Sequence, residues 1–250
     1  MNRFWFITII AVFSFCQVAM AANMALKLEG DPESFFDVPD NDSLDGDIGD
    51  QLTVEAWVNP DKADGENMIL NKEDSYEIAV VDGTFQVAIQ PAGGGWEWVV
   101  ENAGPVNASE WTHVAATYDG TVIRTYVSGK HYSTFDKSGV LNNSSDTFKV
   151  GRRERGGDTH SIYTGLIDEV RISKVVRYTE AGFDVPTTAF ESDDDTVALY
   201  HFDDTVKDSS NYGNHGSLVN DAVLVPADTP IAAVDAAGKL AITWGKMKSE

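Results

Sequence analysis

Cysteine, basic residues and helical sequence patterns are all scarce in this chain of 250 residues. The single cysteine, Cys16, lies in the apolar N-terminal segment, so the rest of the chain can hold no disulfide and no Cys/His zinc pattern. Only 18 Lys and Arg residues stand against 40 Asp and Glu residues, which gives a net charge of −22. This charge argues against nucleic acid and anionic membranes as partners.

The N-terminal segment has the pattern of a secretory signal peptide. Met-Asn-Arg precedes the apolar run "FWFITIIAVFSF", and "AMA" at 19–21 provides a small-residue cleavage site. We expect a signal peptide over residues 1–21 and a secreted or cell-surface protein without stable membrane insertion after cleavage. An uncleaved membrane anchor is the alternative. Arg3 is the only charged residue of this segment, so its removal changes the net charge from −22 to −23.

From Leu26 onward the sequence is built from short runs of alternating apolar and polar residues. "LTVEAWVNP" at 52–60 alternates in this way, and Asp82-Gly83, Asp119-Gly120 and Ser128-Gly129 separate pairs of such runs. Asp-Gly favours the positive φ values of tight hairpin turns, so these pairs predict antiparallel hairpins. Further strands are predicted at 148–152, 163–172, 197–203 and 216–225, and one helical turn is predicted at 179–184.

Many short strands at this spacing predict an all-β fold, a two-sheet antiparallel jelly-roll sandwich. We expect one such domain over residues 22–225. The Pro/Ala-rich stretch after Val225 indicates a linker, so residues 226–250 form a linker and a short C-terminal tail. The tail is either a last docking strand or a recognition segment.

Several segments of the chain resemble a known family when they are taken in order. These are "LKLEGDPESFFDVPDNDSL", "LTVEAWVNP", "EWTHVAATYDGTVIRTYVSGK", "FKVGRR", "GLIDEVRISKVVRY" and "VALYHFDDTVKDSSNYGNHGSL". The chain is similar over residues 25–222 to laminin-G-like jelly-roll domains of the concanavalin A-like lectin/glucanase superfamily. This fold carries lectins, adhesion modules and glycosidases, so it does not by itself define a function.

The resemblance implies a structural calcium site. Carried over by motif, Asp168 of "GLIDEVRI" supplies a carboxylate, Gly30 a main-chain oxygen, and Asp31 an additional ligand. Strand alternation places Asp168 in the same row as Leu166 and Val170, where a buried charge needs a partner, and calcium accepts carboxylate and carbonyl oxygens. The alternative is that Asp168 accepts hydrogen bonds from loop amides without a metal.

The residues favour binding over catalysis. The glycosidases of the superfamily use E-x-D-x-x-E on one strand, and the closest approaches here, at 29–34 and 191–196, lack its final Glu. Alternation also places Asp168 and Glu169 on opposite faces. No G-x-S-x-G elbow is present, and His113 and His201 are interpreted as structural. We therefore expect a protein that is not an enzyme, and a glycosidase has the least support.

Two segments are candidates for ligand contact. Trp96 and Trp98 share a face if "GGGWEWVV" is extended, and paired indoles form a platform on which sugar rings stack. Both could instead fill the core. "GRRERGGDTH" gathers basic residues that suit acidic sugars or a protein partner, or that simply form a solvated loop. These basic residues are Arg152, Arg153 and Arg155.

The predicted function is therefore a secreted, noncatalytic binding module, carbohydrate-binding and stabilised by calcium. An adhesion or structural module that binds a cell-surface protein is the alternative. The acidic segment "DNDSLDGDIGD" at 40–50 fails the EF-hand spacing and is interpreted as a flexible acidic loop, with a weak surface calcium site as the alternative.

Overall fold

The computed structural model of the protein describes residues 23–98 and 102–231. The predicted signal peptide at 1–21 and the tail beyond residue 231 lie outside these ranges. No helix within the described ranges combines the length and the apolar composition that crossing a membrane requires.

The described residues form two large antiparallel sheets and one small hairpin, which confirms the predicted all-β jelly-roll sandwich. The eight-stranded sheet has the order β16-β1-β13-β3-β7-β8-β9, with β14 also paired to β13, and the six-stranded sheet has the order β15-β2-β10-β4-β5-β6. The third sheet is the hairpin β11–β12. The strands are β1 (Met24–Glu29), β2 (Phe35–Val38), β3 (Leu52–Pro60), β4 (Glu66–Lys72), β5 (Tyr76–Val81), β6 (Thr84–Ile89), β7 (Thr112–Tyr118), β8 (Val122–Val127), β9 (Lys130–Asp136), β10 (Phe148–Val150), β11 (Arg152–Arg155), β12 (Asp158–Ile162), β13 (Thr164–Ser173), β14 (Thr196–Tyr200), β15 (Ser217–Val219) and β16 (Val223–Pro226).

The hairpin turns form where the sequence predicts them. Asp82 and Gly83, between β5 and β6, have φ values of 47° and 75°, and Ser128 and Gly129, between β8 and β9, have 49° and 75°. Positive φ at both central residues matches the right-handed twist of the flanking strands. The predicted turn chemistry thus fixes two of the long hairpins.

The core lies between the two large sheets and is formed by alternate residues of each strand. On β3, Val54, Ala56 and Val58 face the core and are at most 1% exposed. The intervening Glu55 and Trp57 point away from the core, yet they too are buried. This double burial arises because the segment after β13 packs over the outer face of the eight-stranded sheet, where Phe183 and Phe190 contact His113 of β7.

The predicted helical turn at 179–184 is wrong. The segment forms a single hydrogen-bonded turn, in which the Gly182 amide donates to the Thr179 carbonyl at 3.0 Å. The Phe183 amide then donates to the Gly129 carbonyl at 2.8 Å, and its ring stacks on Tyr178. The backbone is therefore held by the β8–β9 hairpin, so no further helical hydrogen bonds form.

The acidic segment 40–50 is anchored rather than flexible. Asp42–Leu44 forms a short 3-10 helix capped by Asn41, and Leu44 and Ile48 belong to the core. Lys72 is fully buried, and its ammonium lies 2.5 Å from Asp40 Oδ1 and 3.4 Å from Asp45 Oδ2. The same ammonium donates to the carbonyls of residues 144 and 146. An internal ammonium thus balances part of the acidic segment.

Candidate functional site

The outer face of the six-stranded sheet carries a row of side chains that the core does not use. The strand registers place one residue from each strand side by side, and the row ends at a residue that pairs with the edge strand β6. Strand alternation directs these side chains away from the core, because their neighbours along each strand face inward. The row runs through Ser217, Asp37, Lys149, Asn71, Glu77, Ala88 and Trp98.

Two carboxyl groups meet near the middle of this row. The Asn71 amide nitrogen donates to Glu73 Oε2 at 3.1 Å and to Glu77 Oε1 at 2.7 Å, so it joins the two carboxyl groups. Burial raises the pKa of Glu77 to about 9, and Glu73 adds to this effect while Arg153 opposes it. Glu77 therefore keeps its proton near neutral pH, and the pair carries one negative charge.

Arg153 of β11 connects this acid pair to the indole of Trp96. Its Nε lies 3.0 Å from both Glu73 Oε2 and Glu77 Oε1, and its Nη2 donates to Glu73 Oε1 at 3.1 Å. The guanidinium also lies over the Trp96 ring, 5.6 Å from the ring centroid, within the range of a cation–π interaction. Trp96 is partly exposed and lies outside the core cluster. We call Trp96, Asn71, Glu73, Glu77 and Arg153 the indole–acid cluster.

Three polar atoms of the indole–acid cluster are buried without a hydrogen-bond partner among the residues that the structure describes: Trp96 Nε1, Asn71 Oδ1 and Glu77 Oε2. Each such atom costs about 1–3 kcal/mol when nothing satisfies it. The indole–acid cluster therefore combines a partly exposed indole with buried polar atoms.

The structure brings some of the predicted ligand residues together and separates others. The Arg155 side chain is 58% exposed, and its Nε lies 3.7 Å from Glu73 Oε1, so it lies at the edge of the indole–acid cluster. Arg152 points elsewhere, because it donates to the Pro32 carbonyl at 2.9 Å and covers the Phe35 ring. Trp98 is partly exposed and forms a bridge with Ala88 on β6. The tryptophans therefore do not fill the core.

Asp168 lies on the outer face of the eight-stranded sheet, and the predicted row with Leu166, Val170 and Ile172 is wrong. Between Asp168 and Arg171 the register of β13 against β3 shifts, and Glu169 has φ of 50°. This bulge breaks the alternation. As a result, Ile167, Val170 and Ile172 belong to the core and Leu166 does not.

The Asp168 carboxyl group is fully buried among acidic neighbours. Oδ1 accepts from the Glu169 amide at 2.8 Å, and Oδ2 accepts from the Thr229 hydroxyl at 2.7 Å. Burial, together with the charges of Glu169 and Asp203, raises the pKa of Asp168 well above its usual value. The Glu169 carboxylate also lies on this outer side, because it accepts from the amide of Phe190 at 2.7 Å, which contradicts the prediction that Asp168 and Glu169 occupy opposite faces.

Gly30 and Asp31 are not brought close to Asp168. β1 pairs with β13 in a register that matches Glu29 to Thr164 and Leu26 to Ile167, so Asp168 is level with Ala25. Ala25 and Gly30 are five residues apart, which corresponds to about 17 Å along an extended strand. Since calcium–oxygen distances are about 2.3–2.6 Å, these residues cannot share one ion with Asp168. Asp31 instead accepts from the Glu33 amide in an exposed turn.

The comparisons with known proteins agree with this fold. The Laminin G family model of the concanavalin A-like lectin/glucanases superfamily matches residues 31–180. The chain belongs to this superfamily. No curated protein matches this concanavalin A-like chain.

Solved structures share the concanavalin A-like fold at low identity. A candidate carbohydrate-binding protein from Bacteroides ovatus is 22% identical, with a TM-score of 0.56 over 85% of this chain and 60% of that one. The SAP-like pentraxin of Limulus polyphemus is 12% identical, with a TM-score of 0.56 over 84% of this chain and 97% of that one. Mouse laminin alpha1 domains LG4-5 are 17% identical, with a TM-score of 0.48 over 66% and 45%. The chain therefore spans less than two thirds of the Bacteroides protein.

The sequence of this concanavalin A-like chain does not predict the acid pair formed by Glu73 and Glu77. Asn71 and Glu77 occupy strands whose other residues are apolar, as in "MILNK" and "YEIAVV". A polar residue at the same alternating position on two neighbouring strands is the signal that could have identified them. Their partner Arg153 lies about 80 residues away, and no local pattern connects it to them.

Proposed function

We propose that this protein is a secreted carbohydrate-binding module without catalytic activity, and that its ligand binds at the indole–acid cluster. The observation that carries the proposal is the partly exposed Trp96 ring, which lies outside the core and 5.6 Å from the Arg153 guanidinium. A sugar offers an apolar face on which this indole can stack. The Bacteroides ovatus protein with the same fold is itself described as a candidate carbohydrate-binding protein, which is consistent with this function.

The spacing of the acid pair supports binding over hydrolysis. Two-carboxylate glycosidases hold the groups about 5–5.5 Å apart, or about 6.5–9.5 Å apart when they invert the product. The Asn71 amide and Arg153 Nε lie between Glu73 and Glu77, because each contacts both carboxyl groups. This leaves no room for a sugar bond or a water molecule between them.

The test is binding of the purified chain to a panel of neutral and acidic polysaccharides. We expect Trp96→Ala to reduce binding at least tenfold while its melting temperature stays near that of the parent chain. Trp111→Ala is the matched control, because that indole precedes β7 of the other sheet and donates to Asp228. Equal losses in both variants, or no binding to any polysaccharide, would contradict the proposed function and favour an adhesion module that binds a surface protein.

We also propose that Asp168 binds a structural calcium ion, with Asp203 as a second carboxylate. The support is that both carboxyl groups are at most 4% exposed and that the charge of Asp203 raises the pKa of Asp168. A hard divalent cation would allow Asp168 to ionise in place. Asp203 Oδ1 also accepts from the Met24 amide at 3.1 Å, so the site would tie the first strand to the end of β14.

Thermal unfolding with calcium and with chelator tests this site. Calcium at a hundred times its dissociation constant would add about 2.7 kcal/mol to the free energy of unfolding. We expect Asp168→Asn to abolish the difference between calcium and chelator, and Asp31→Asn to preserve it. Identical melting temperatures of the parent chain in both conditions would exclude a calcium site in the folded protein.

A further inference from the structure

Basic residues are frequent in the segment that contributes Arg153 to the indole–acid cluster. Four of the 18 Lys and Arg residues fall within residues 149–155. They are Lys149 on the outer row of β10 and Arg152, Arg153 and Arg155 on β11. Elsewhere the chain is dominated by its 40 acidic residues. Some of these positive charges are already neutralised by nearby carboxylates.

Most of these cations have a close carboxylate. Arg153 makes two hydrogen bonds to Glu73, at 3.0 and 3.1 Å. Glu154 Oε2 lies 3.0 Å from Arg152 Nη2 and 4.0 Å from Lys149 Nζ. On the neighbouring segment, the Glu97 carboxylate lies 3.6 Å from Lys137. The carboxylates around the cluster are therefore already engaged by other cations.

Arg155 differs from its neighbours in exposure and in pairing. Its side chain is 58% exposed, and its contact with Glu73 spans 3.7 Å to a carboxylate that already accepts both bonds from Arg153. The guanidinium fork thus remains available for a stronger bidentate partner. Its hydrogen-bond geometry matches a carboxylate or a sulfate, since both present two oxygens in one plane.

We propose that Arg155 makes the site selective for an anionic saccharide, whose ring stacks on Trp96 while its carboxylate or sulfate pairs with the Arg155 guanidinium. This inference rests on the proposed function and names the ligand class for the same site. Neutral sugars use the indole without a charged pair. Anionic sugars add a charge-assisted pair at the edge of the cluster, where water and salt still reach it.

The test compares saccharides that differ only in charge. Oligosaccharides of galacturonate, glucuronate and mannuronate are titrated beside their methyl esters, and dextran sulfate beside dextran, so that the carboxylate and sulfate arms are distinguished. We expect at least one anionic member to bind at least tenfold more tightly than its neutral counterpart. Raising the salt concentration should narrow this difference, because a partly exposed ion pair is screened.

Variants distinguish this inference from the proposed function. Arg155→Gln should remove the preference for the anionic member and leave the affinity for the neutral member unchanged. Lys62→Gln, an exposed residue with the same charge change, should have no effect. Trp96→Ala should weaken both members. Equal affinities for charged and neutral members, or an unchanged preference in Arg155→Gln, would overturn the inference about anionic saccharides. If Trp96→Ala still weakened binding in that case, the proposed carbohydrate-binding function would stand. Failure of every saccharide to bind would overturn both.

Discussion

Glu55 on β3 and Arg171 on β13 form an ion pair on the outer face of the eight-stranded sheet, with 2.7 Å between Oε1 and Nη2. Glu55 is fully buried, and its other oxygen accepts from the Tyr178 hydroxyl at 2.7 Å and lies 3.2 Å from His113 Nε2. The pair thus joins two neighbouring strands to the segment that covers them. Its titration should dominate the stability of this face in acid.

The first prediction concerns acid unfolding. Burial alone would raise the pKa of Glu55, but the nearby His113 and the charge of Arg171 lower it to about 2. A carboxylate with a lowered pKa stabilises the fold above its unfolded value and loses that contribution as the pH falls towards 2. Glu55→Gln should therefore remove on the order of 3 kcal/mol at pH 7 and flatten the loss of stability between pH 4.5 and 2. Unchanged acid unfolding curves would contradict this role of the pair.

The second prediction concerns the acid pair of the indole–acid cluster at alkaline pH. The pKa of Glu77 is raised to about 9, so folding favours the protonated form, and its contribution is lost as the pH rises from about 4.5 to 9. Glu77→Gln should therefore be more stable than the parent chain at pH 8.5 and show a smaller difference at pH 5. Asp64→Asn at an exposed position removes the same charge and serves as the control. Parallel behaviour of the two variants would show that Glu77 is ionised in the native protein.

The third prediction concerns Lys72. Its ammonium is fully buried between Asp40 and Asp45, so its removal leaves buried carboxylate oxygen without a cation. Lys72→Met should lower the free energy of unfolding by about 3–5 kcal/mol, as measured by urea denaturation. Lys62→Met removes the same charge from an exposed position and should change stability little. Equal effects of the two changes would mean that the ammonium is not an internal counterion.

The fourth prediction concerns the glycine of "GLIDEVRI". Gly165 has φ of +135°, and a Cβ there would lie 2.3 Å from the Asn59 carbonyl oxygen and 2.8 Å from the Asp61 amide nitrogen. Both atoms belong to the backbone at the end of β3, so they cannot shift without disturbing the strand. Gly165→Ala should cost at least about 2 kcal/mol in thermal unfolding. Gly95→Ala, where a Cβ meets nothing within 4 Å, should be neutral.

Local chemistry accounts for the parts of the fold that sequence reasoning predicts. Strand β3 covers the predicted residues 52–60, and the turns at Asp82-Gly83 and Ser128-Gly129 adopt the expected positive φ values. Each of these features depends on neighbouring residues alone. The stretch 216–225 shows the limit, because it divides into β15 and β16, which join different sheets. A two-residue alternation predicts a strand, but it does not indicate which sheet the strand joins.

The candidate site depends on contacts that local patterns do not encode. In the bulge at Asp168, Glu169 has a positive φ, a conformation that glycine or asparagine usually adopts, so the sequence does not predict the bulge. The Glu169 carboxylate is instead held by the Phe190 amide at 2.7 Å and by His201 at 2.6 Å, both distant in sequence. Likewise, Trp96 and Arg153 were predicted separately as ligand residues, but only the fold places them together over the acid pair.

The pairing of the first and last described strands has a mechanical consequence. Met24 of β1 lies opposite Pro226 of β16, so these two strand ends lie at one corner of the sandwich. A pulling force between them acts on the ladder hydrogen bonds one pair at a time, as a zipper opens. Beyond β16, however, Thr229 is hydrogen-bonded to Asp168 and Asp228 to Trp111, so the β1–β16 ladder should open only after these contacts break. The six-stranded sheet, to which neither end strand belongs, lies outside the initial path of the force.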